Sequence, residues 1–253
     1  MVMMSVRNYM EPVMKTSFRL VCLLLVNCIL LSSSGTAAEH PGYIEAPERR
    51  TTGIGKFYMG REISFVMGHR AAGWLNRPER IREEMPDDVV ENMRLEPNHV
   101  VADIGAGSGY FSFRIASIVP NGSVLAVDIQ PEMLQLIEDQ KNERDVSNIE
   151  SVLGTVSDPN LEPNSIDAAI MVDAYHEFSH PFEMISGIYN ALRPGGRIFL
   201  LEYRGEDASV PIRPLHKMTQ EQVRKEMSVF GLVWTETLDF LPWQHMMVFT
   251  KPI

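Results

Sequence analysis

One stretch decides the fold: Val100-Val-Ala-Asp-Ile-Gly-Ala-Gly-Ser-Gly-Tyr-Phe111. Its first five residues have the largely apolar, β-branched character of a buried strand. Gly105, Gly107 and Gly109 follow, and helix-compatible sequence comes after them. A glycine-rich turn between a strand and a helix presents free backbone N–H groups and lets a ligand approach without meeting a Cβ. The stretch therefore predicts a β–turn–α unit that receives an anionic or strongly polar ligand.

The spacing of the glycines narrows the choice of ligand. A dinucleotide fingerprint has the form G-x-G-x-x-G, whereas this turn reads G-x-G-x-G and has Tyr110 where the last fingerprint glycine would fall. A second predicted strand, residues 123–128, ends in Asp128, and one carboxylate there can accept from both hydroxyls of a ribose. Asp103, two residues before the first glycine, can meet an ammonium group. An amino-acid end, a ribose and a purine together indicate S-adenosylmethionine.

Three motifs of the chain resemble those of class I S-adenosylmethionine-dependent methyltransferases. They are Asp103-Ile-Gly-Ala-Gly-Ser-Gly109, Val127-Asp128 and Leu192-Arg-Pro-Gly-Gly196. The resemblance implies an α/β fold, Rossmann-like and doubly wound, with a mostly parallel seven-stranded sheet, a C-terminal antiparallel hairpin and N-terminal lid helices. It also implies transfer of a methyl group from S-adenosylmethionine to an acceptor.

Further segments are similar to a bacterial, exported-looking subgroup of the type 11/25 kind. These segments are Met171-Val-Asp-Ala-Tyr-His-Glu-Phe178, Glu202-Tyr-Arg204 and Leu215-His-Lys-Met218. The substrate of this subgroup cannot be named from the sequence. We expect a small-molecule acceptor, and the atom that is methylated stays open.

Ligands of such sheets bind at the carboxyl ends of the strands, which selects the candidate cofactor site. An apolar residue after Asp128 can lie against the adenine. Many relatives carry an acidic residue near position 155 to meet the adenine amine, but here Asp158 comes a few residues late. The expected cofactor-binding residues are Asp103, Gly105, Ala106, Gly107, Gly109, Asp128, Ile129, Thr155 and Asp173.

The loop after the fourth core strand carries the candidate catalytic residues. Methyl transfer requires alignment of the nucleophile, exclusion of water and sometimes removal of a proton. His176 has an ordinary pKa that suits a base near neutral pH. We expect Tyr175 and Glu202 to position the acceptor, together with Glu177 and Tyr203. A structural role for His176 in the loop is an equally open alternative.

The same stretch permits a metal site. His176 and His180 are four residues apart, with Glu177 between them and Glu202 on the next strand. Because Pro181 follows at once, we interpret the stretch as a loop with incidental polar residues at the rim, and we expect no metal. His216, Trp243 and His245 are further residues that could reach the same mouth.

The first 38 residues have the order of a secretory signal peptide. Three basic residues precede an apolar run at 20–31, and small residues follow up to Ala38. We expect cleavage after Ala38 and export to the periplasm or cell envelope, with an uncleaved membrane anchor or a cytoplasmic protein as the alternatives. Export conflicts with the cytoplasmic synthesis of S-adenosylmethionine. Either the cofactor is delivered, or the start codon is misplaced, or the export prediction is wrong.

The rest of the chain divides into two predicted regions. Residues 39–95 read as an extended arm followed by lid helices at 61–76, from Pro78 to Met85, and at 89–95. Residues 96–253 read as the methyltransferase domain, with alternating strands and helices that indicate a parallel sheet. The predicted strands are 99–104, 123–128, 149–153, 166–172, 197–203, 232–238 and 245–250, and the predicted helices are 109–118, 131–142, 182–192 and 219–230.

Composition excludes some function classes. The net charge of −10 over 253 residues argues against a nucleic-acid surface. Both cysteines, Cys22 and Cys28, lie in the expected signal segment, so the expected mature chain has no disulfide and no cysteine metal site. No stable membrane span is expected after cleavage, and the oligomeric state stays open. The rivals to methyl transfer are a non-catalytic protein that binds S-adenosylmethionine or S-adenosylhomocysteine and a nicotinamide-dependent oxidoreductase.

Overall fold

The computed structural model describes residues 40–48 and 52–253. The expected signal segment, residues 1–38, lies outside the described residues. Within those two described ranges, every helix is too short or too polar to cross a bilayer.

The N-terminal part folds into short elements that precede the main sheet. A small antiparallel sheet is formed by β1 (Tyr43–Glu45), β2 (Lys56–Tyr58) and β3 (Arg61–Glu62), and the helices α1 (Ala72–Leu75), α2 (Arg80–Glu84) and α3 (Pro86–Asn92) follow it.

The helix expected over residues 61–76 is a misprediction for most of its length. Met59 and Gly60 adopt left-handed backbone conformations, with φ of 49° and 98°. They turn the chain so that Tyr58 pairs with Arg61 in the small sheet. Beyond this hairpin the chain is irregular until a 3-10 turn at His69–Ala71 leads into α1. Ile63 is buried here, whereas Val66 and Trp74 are exposed, so the three- and four-residue spacing of apolar residues does not mark one helical stripe.

The central sheet contains the seven expected strands and one short additional strand. The strands are β4 (Val100–Ile104), β5 (Ser123–Asp128), β6 (Ile149–Leu153), β7 (Ile166–Val172), β8 (Leu192–Arg204), the two-residue β9 (Lys217–Met218), which pairs only with β8, β10 (Val233–Leu238) and β11 (Gln244–Thr250). The seven expected strands lie in the order β10-β11-β8-β7-β4-β5-β6. Neighbours among β4 to β8 run parallel, whereas β11 runs antiparallel to β8 and to β10.

Four helices cover the two faces of this sheet. They are α4 (Ser112–Ile118), α5 (Pro131–Arg144), α6 (Pro181–Ala191) and α7 (Gln220–Ser228). Proline stands at the start of α5 and of α6, where its missing N–H costs nothing. The side chain of Thr219 caps α7 by accepting from the backbone N–H of Gln222 at 3.1 Å.

Each face of the sheet buries its own apolar cluster. On one face Val101 and Phe199 pack with Ile115 of α4 and Ile137 of α5. On the other face Met171 belongs to a cluster built with residues of α6 and α7. Such two-sided burial explains why the parallel strands are almost continuously apolar. It also fixes the carboxyl ends of β4, β5 and β7 side by side at one edge, where polar groups emerge.

Candidate functional site

A cavity of about 550 Å³ opens at the carboxyl ends of the parallel strands. Its floor comes from the turns after β4, β5 and β7, and its walls come from the N-terminal segment and from the loop after β8. Ligand sites typically measure roughly 300–1,000 Å³. The cavity is therefore large enough for an organic ligand of cofactor size.

The glycine turn forms part of this floor. Gly105 and Gly107 line the cavity and have φ of 75° and 54°, a region that side-chain-bearing residues rarely adopt. A Cβ on Gly105 would lie 2.8 Å from the Cβ of Ala174. Gly109 instead lies against Phe113, so it serves packing of the turn and not the cavity. Ala106, also expected to bind the cofactor, lies outside the cavity lining.

Asp128 lies at the end of β5 with its carboxylate held against the glycine turn. Its Oδ2 accepts from the backbone N–H of Gly107 at 2.9 Å, and its Oδ1 accepts from the N–H of Gln130 at 2.9 Å. Burial raises the pKa of Asp128, and the two backbone donors oppose that effect. Each oxygen keeps a further lone pair. The carboxylate is thus fixed at the cavity surface and able to accept from two hydroxyls, with Ile129 beside it.

Asp173 ends β7 in a strained conformation, with φ of 50°. Its Oδ2 accepts from Nε2 of Gln244 at 2.7 Å, while its Oδ1 is buried without a hydrogen-bond partner. Burial and the nearby carboxylates of Glu84 and Glu202 raise the pKa of Asp173 well above its usual range. Asp173 itself is among the residues that line the cavity.

Two other predicted cofactor residues have different surroundings. Thr155 lines the cavity, and its backbone N–H donates to the carbonyl of Asp158 at 2.8 Å. Asp103 does not line the cavity, and its expected contact with an ammonium group stays a prediction. Its side chain turns to α4, where Ser112 donates to it at 2.6 Å. Burial raises the pKa of Asp103 to about 6.

His176 lies in a 3-10 turn at Tyr175–Glu177 and faces the cavity. Its Nδ1 lies 2.6 Å from Oε2 of Glu202, and its Nε2 lies 3.0 Å from Nδ1 of His216. The backbone N–H of His176 donates to the other oxygen of Glu202 at 3.2 Å. Burial lowers the pKa of His176 to about 4 and raises the pKa of Glu202 to about 8, so burial favours the uncharged form of both.

The three predicted catalytic residues have different positions. His176 reaches the cavity, whereas Glu202 is fully buried behind it and can act only through His176. Tyr175 is fully buried outside the cavity lining, with the guanidinium of Arg61 at 5.4 Å from its ring, so its side chain does not face the cavity. The 3-10 turn explains this difference, because consecutive side chains there point in different directions. Glu177 and Tyr203 do line the cavity.

The sequence only suggested some residues at the mouth of the cavity, and it gave no indication of others. His216 lines the cavity, as considered, while His245 is buried inside the protein with both ring nitrogens lacking hydrogen bonds. His180 lies outside the lining and packs its ring against Tyr43. Arg213 lines the cavity and was not predicted. The prolines on either side of it indicate an ordered turn, which is the one signal that could have pointed to this loop. The other missed lining residues include Leu75, Arg80 and Phe178.

Comparison with known proteins identifies the domain. Residues 101–196 match the model of a family described as a methyltransferase domain. An uncharacterised methyltransferase-like protein of Schizosaccharomyces pombe is 26% identical over 163 residues, which are 62% of this chain and 60% of that protein. An uncharacterised methyltransferase of Mycobacterium bovis is 30% identical over 142 residues, 56% of this chain and 53% of that protein. The chain thus spans little more than half the length of these relatives.

A solved structure agrees in fold. The crystal structure of a SAM-dependent methyltransferase from Aquifex aeolicus superposes with a TM-score of 0.69 and covers 73% of this chain and 99% of that chain. Residues 101–196 of the chain thus match a methyltransferase domain family, and the solved structure has the same fold. Because the two sequences are only 19% identical, the superposition supports a shared fold and nothing more. The predicted doubly wound α/β fold and the C-terminal hairpin are confirmed, and the matches support the predicted resemblance to class I methyltransferases.

Proposed function

We propose that the chain transfers a methyl group from S-adenosylmethionine to a small-molecule acceptor. One observation carries the proposal: the carboxylate at the end of β5 is fixed on the glycine turn at the cavity surface, through the 2.9 Å contact between Asp128 and Gly107. A ribose diol needs an acceptor at this place, and the close approach of a ligand to the turn needs glycine.

The residues present fit the cofactor in four respects. Asp128 offers carboxylate oxygens for the ribose hydroxyls, and Ile129 offers an apolar surface for the adenine. Gly105 and Gly107 leave the space that a Cβ would fill. The unpartnered Oδ1 of Asp173 offers an acceptor to the ammonium group of the methionine end. This last group takes the role that the sequence assigned to Asp103.

The acceptor is proposed to bind on the side of the cavity formed by His176, His216 and the N-terminal segment. Trp74 stands at that wall with the guanidinium of Arg77 at 3.7 Å from its ring. Aromatic and apolar groups beside a few convergent polar groups are typical of a small-molecule site. Bound S-adenosylmethionine would supply a methyl group already activated by positive sulfur. The chain's own residues then have to align the acceptor and exclude water.

Calorimetric titration of the purified chain tests this proposal. We expect saturable binding of one S-adenosylmethionine or one S-adenosylhomocysteine per chain, and no binding of NAD. Failure of a folded sample to bind either of the first two would overturn the proposal. Incubation with S-adenosylmethionine and a panel of small nucleophiles, with detection of S-adenosylhomocysteine, then separates an enzyme from a binding protein. Cofactor binding without turnover on any acceptor would favour the non-catalytic alternative.

A further inference from the structure

Three donor atoms converge at the acceptor side of the cavity. They are Nε2 of His176, Nδ1 of His216 and Oε1 of Glu177. The two nitrogens lie 3.0 Å apart, and the carboxylate oxygen lies 3.8 Å and 3.6 Å from them. Two donors at about 2.1 Å from one ion stand about 3.0 Å apart at a right angle and about 3.4 Å apart at a tetrahedral angle. Small side-chain movements therefore place all three donors at bonding distance from one ion.

We propose that His176, Glu177 and His216 bind a divalent transition-metal ion, with Zn²⁺ as the first candidate. Two imidazoles and one carboxylate are a ligand set that suits zinc or ferrous iron, whereas magnesium and calcium prefer oxygen ligands. The sequence could not assemble this set, because it offered His180 in place of His216. In the structure His180 lies outside the cavity, and the loop after β8 brings His216 to within reach of His176.

The three proposed ligands are surrounded by hydrogen-bonding groups of the kind found around metal sites. Glu202 meets the far nitrogen of His176 at 2.6 Å, an arrangement that orients a metal-binding histidine. The second oxygen of Glu177 accepts from the backbone N–H of Met67 at 3.0 Å. The carbonyl of His176 accepts from Arg61 at 3.1 Å. Two of the three ligands are therefore held in place before any ion binds.

The site is also open on one side. The His176 side chain is only 2% exposed, but Glu177 and His216 are 15% and 26% exposed, and all three line the cavity. Three protein ligands with an open position are characteristic of reactive rather than structural zinc sites. An ion here would face the proposed acceptor and could hold its oxygen, nitrogen or sulfur. Binding of the ion itself does not depend on the proposed methyl transfer.

The test is titration of Zn²⁺ into the chelator-stripped whole chain, without S-adenosylmethionine. We expect one ion per chain, with Mg²⁺ and Ca²⁺ failing to compete. His216→Ala should weaken Zn²⁺ binding by at least about 100-fold, and Glu202→Gln, which removes no ligand, by about 10- to 100-fold. His69→Ala is the matched control, because the His69 side chain is 39% exposed and lies outside the cavity lining. It should bind as the wild type does.

Co²⁺ gives a spectroscopic readout of the same site. We expect visible ligand-field absorption on Co²⁺ addition to the wild type, and loss of that absorption in a folded His216→Ala variant. A folded wild type that does not bind Zn²⁺, or one whose Zn²⁺ affinity is unchanged by His216→Ala, would overturn the proposal. The His176–His216 contact would then be a hydrogen bond only. Since the titration uses the metal alone, its failure leaves the proposed cofactor site untouched.

Discussion

Arg61 and Glu226 form a two-pronged ion pair that ties the N-terminal hairpin to α7. Nε of Arg61 donates to Oε1 of Glu226 at 2.8 Å, and its Nη2 donates to Oε2 at 2.9 Å. The Glu226 side chain is fully buried, and a further N–H of the same guanidinium donates to the carbonyl of His176. One side chain thus connects the N-terminal segment, the last helix and the turn that carries the candidate site.

Breaking the ion pair between Arg61 and Glu226 should destabilise the folded protein. We expect Arg61→Met to lower the free energy of unfolding by about 3–5 kcal/mol, because it leaves the Glu226 carboxylate buried without its partner. Urea denaturation measures the loss. The control is Arg114→Met, since the Arg114–Asp87 pair is exposed and should contribute at most about 1 kcal/mol. Equal losses in the two variants would contradict the role assigned to Arg61.

The glycine turn should not tolerate a side chain at its first position. Gly105→Ala forces alanine into a left-handed conformation, which costs about 1–2 kcal/mol, and brings its Cβ to 2.8 Å from Ala174. We expect a lower melting temperature and weaker binding of S-adenosylhomocysteine. Gly73→Ala is the control, because Gly73 lies in α1 with no atom within 4 Å of an added Cβ. A Gly105→Ala protein with unchanged stability and affinity would show that the turn has another conformation.

Asp128 is expected to hold the ribose of the cofactor. Asp128→Asn keeps one acceptor oxygen for the backbone but removes the charge that a hydroxyl donor meets. We expect the Kd for S-adenosylhomocysteine to rise about 10- to 100-fold, since a hydrogen bond to a charged group contributes about 1.5–3 kcal/mol. The matched control is Asp139→Asn on the exposed side of α5. Unchanged affinity in Asp128→Asn would place the ribose elsewhere.

Asp103 should make stability depend on pH. Burial raises its pKa from the ordinary 3.8 to about 6, so the folded state holds its proton more tightly than the unfolded state. The resulting stabilisation is complete below about pH 4 and is lost as the pH rises through about 6. Asp103→Asn removes this dependence and keeps an acceptor for Ser112. At pH 7.5 the variant should be at least as stable as the wild type, by up to about 3 kcal/mol.

Thermal unfolding between pH 4 and pH 8 measures this effect. The difference curve between Asp103→Asn and the wild type isolates the one carboxyl from the other titrating groups. Glu150→Gln on the exposed side of β6 is the control and should follow the wild-type curve. A destabilised Asp103→Asn protein at pH 7.5 would mean that the ionised carboxylate has a stabilising partner that Ser112 does not account for.

The sequence predicted the central sheet well, because its inner strands β4, β7 and β8 are largely buried and most of its strands are bounded by strong turn signals. The strands 123–128, 149–153 and 166–172 begin and end as predicted. Gly105, Gly107, Asp128 and Asp173 reach the cavity because each lies at the carboxyl end of a parallel strand or in the turn that follows it. The prediction failed where tertiary contacts decide, as at residues 61–68.

The directions of two side chains also could not be predicted from the sequence. Asp103 and Tyr175 are each adjacent in sequence to a residue that lines the cavity, but their own side chains point into the protein interior. Asp103 turns towards α4 and Tyr175 towards the guanidinium of Arg61. His216 belongs to the site only because the loop after β8 folds back over His176, across 40 positions of sequence. No local pattern specifies that approach.

A crystal structure of the chain with S-adenosylhomocysteine would test the central claim most directly. The account predicts the ribose hydroxyls on the carboxylate of Asp128, the amino-acid end between the glycine turn and Asp173, and the sulfur pointing to the side where His176 and His216 lie. Density for the ligand at another place, or a cavity filled only by solvent at saturating ligand, would contradict the account.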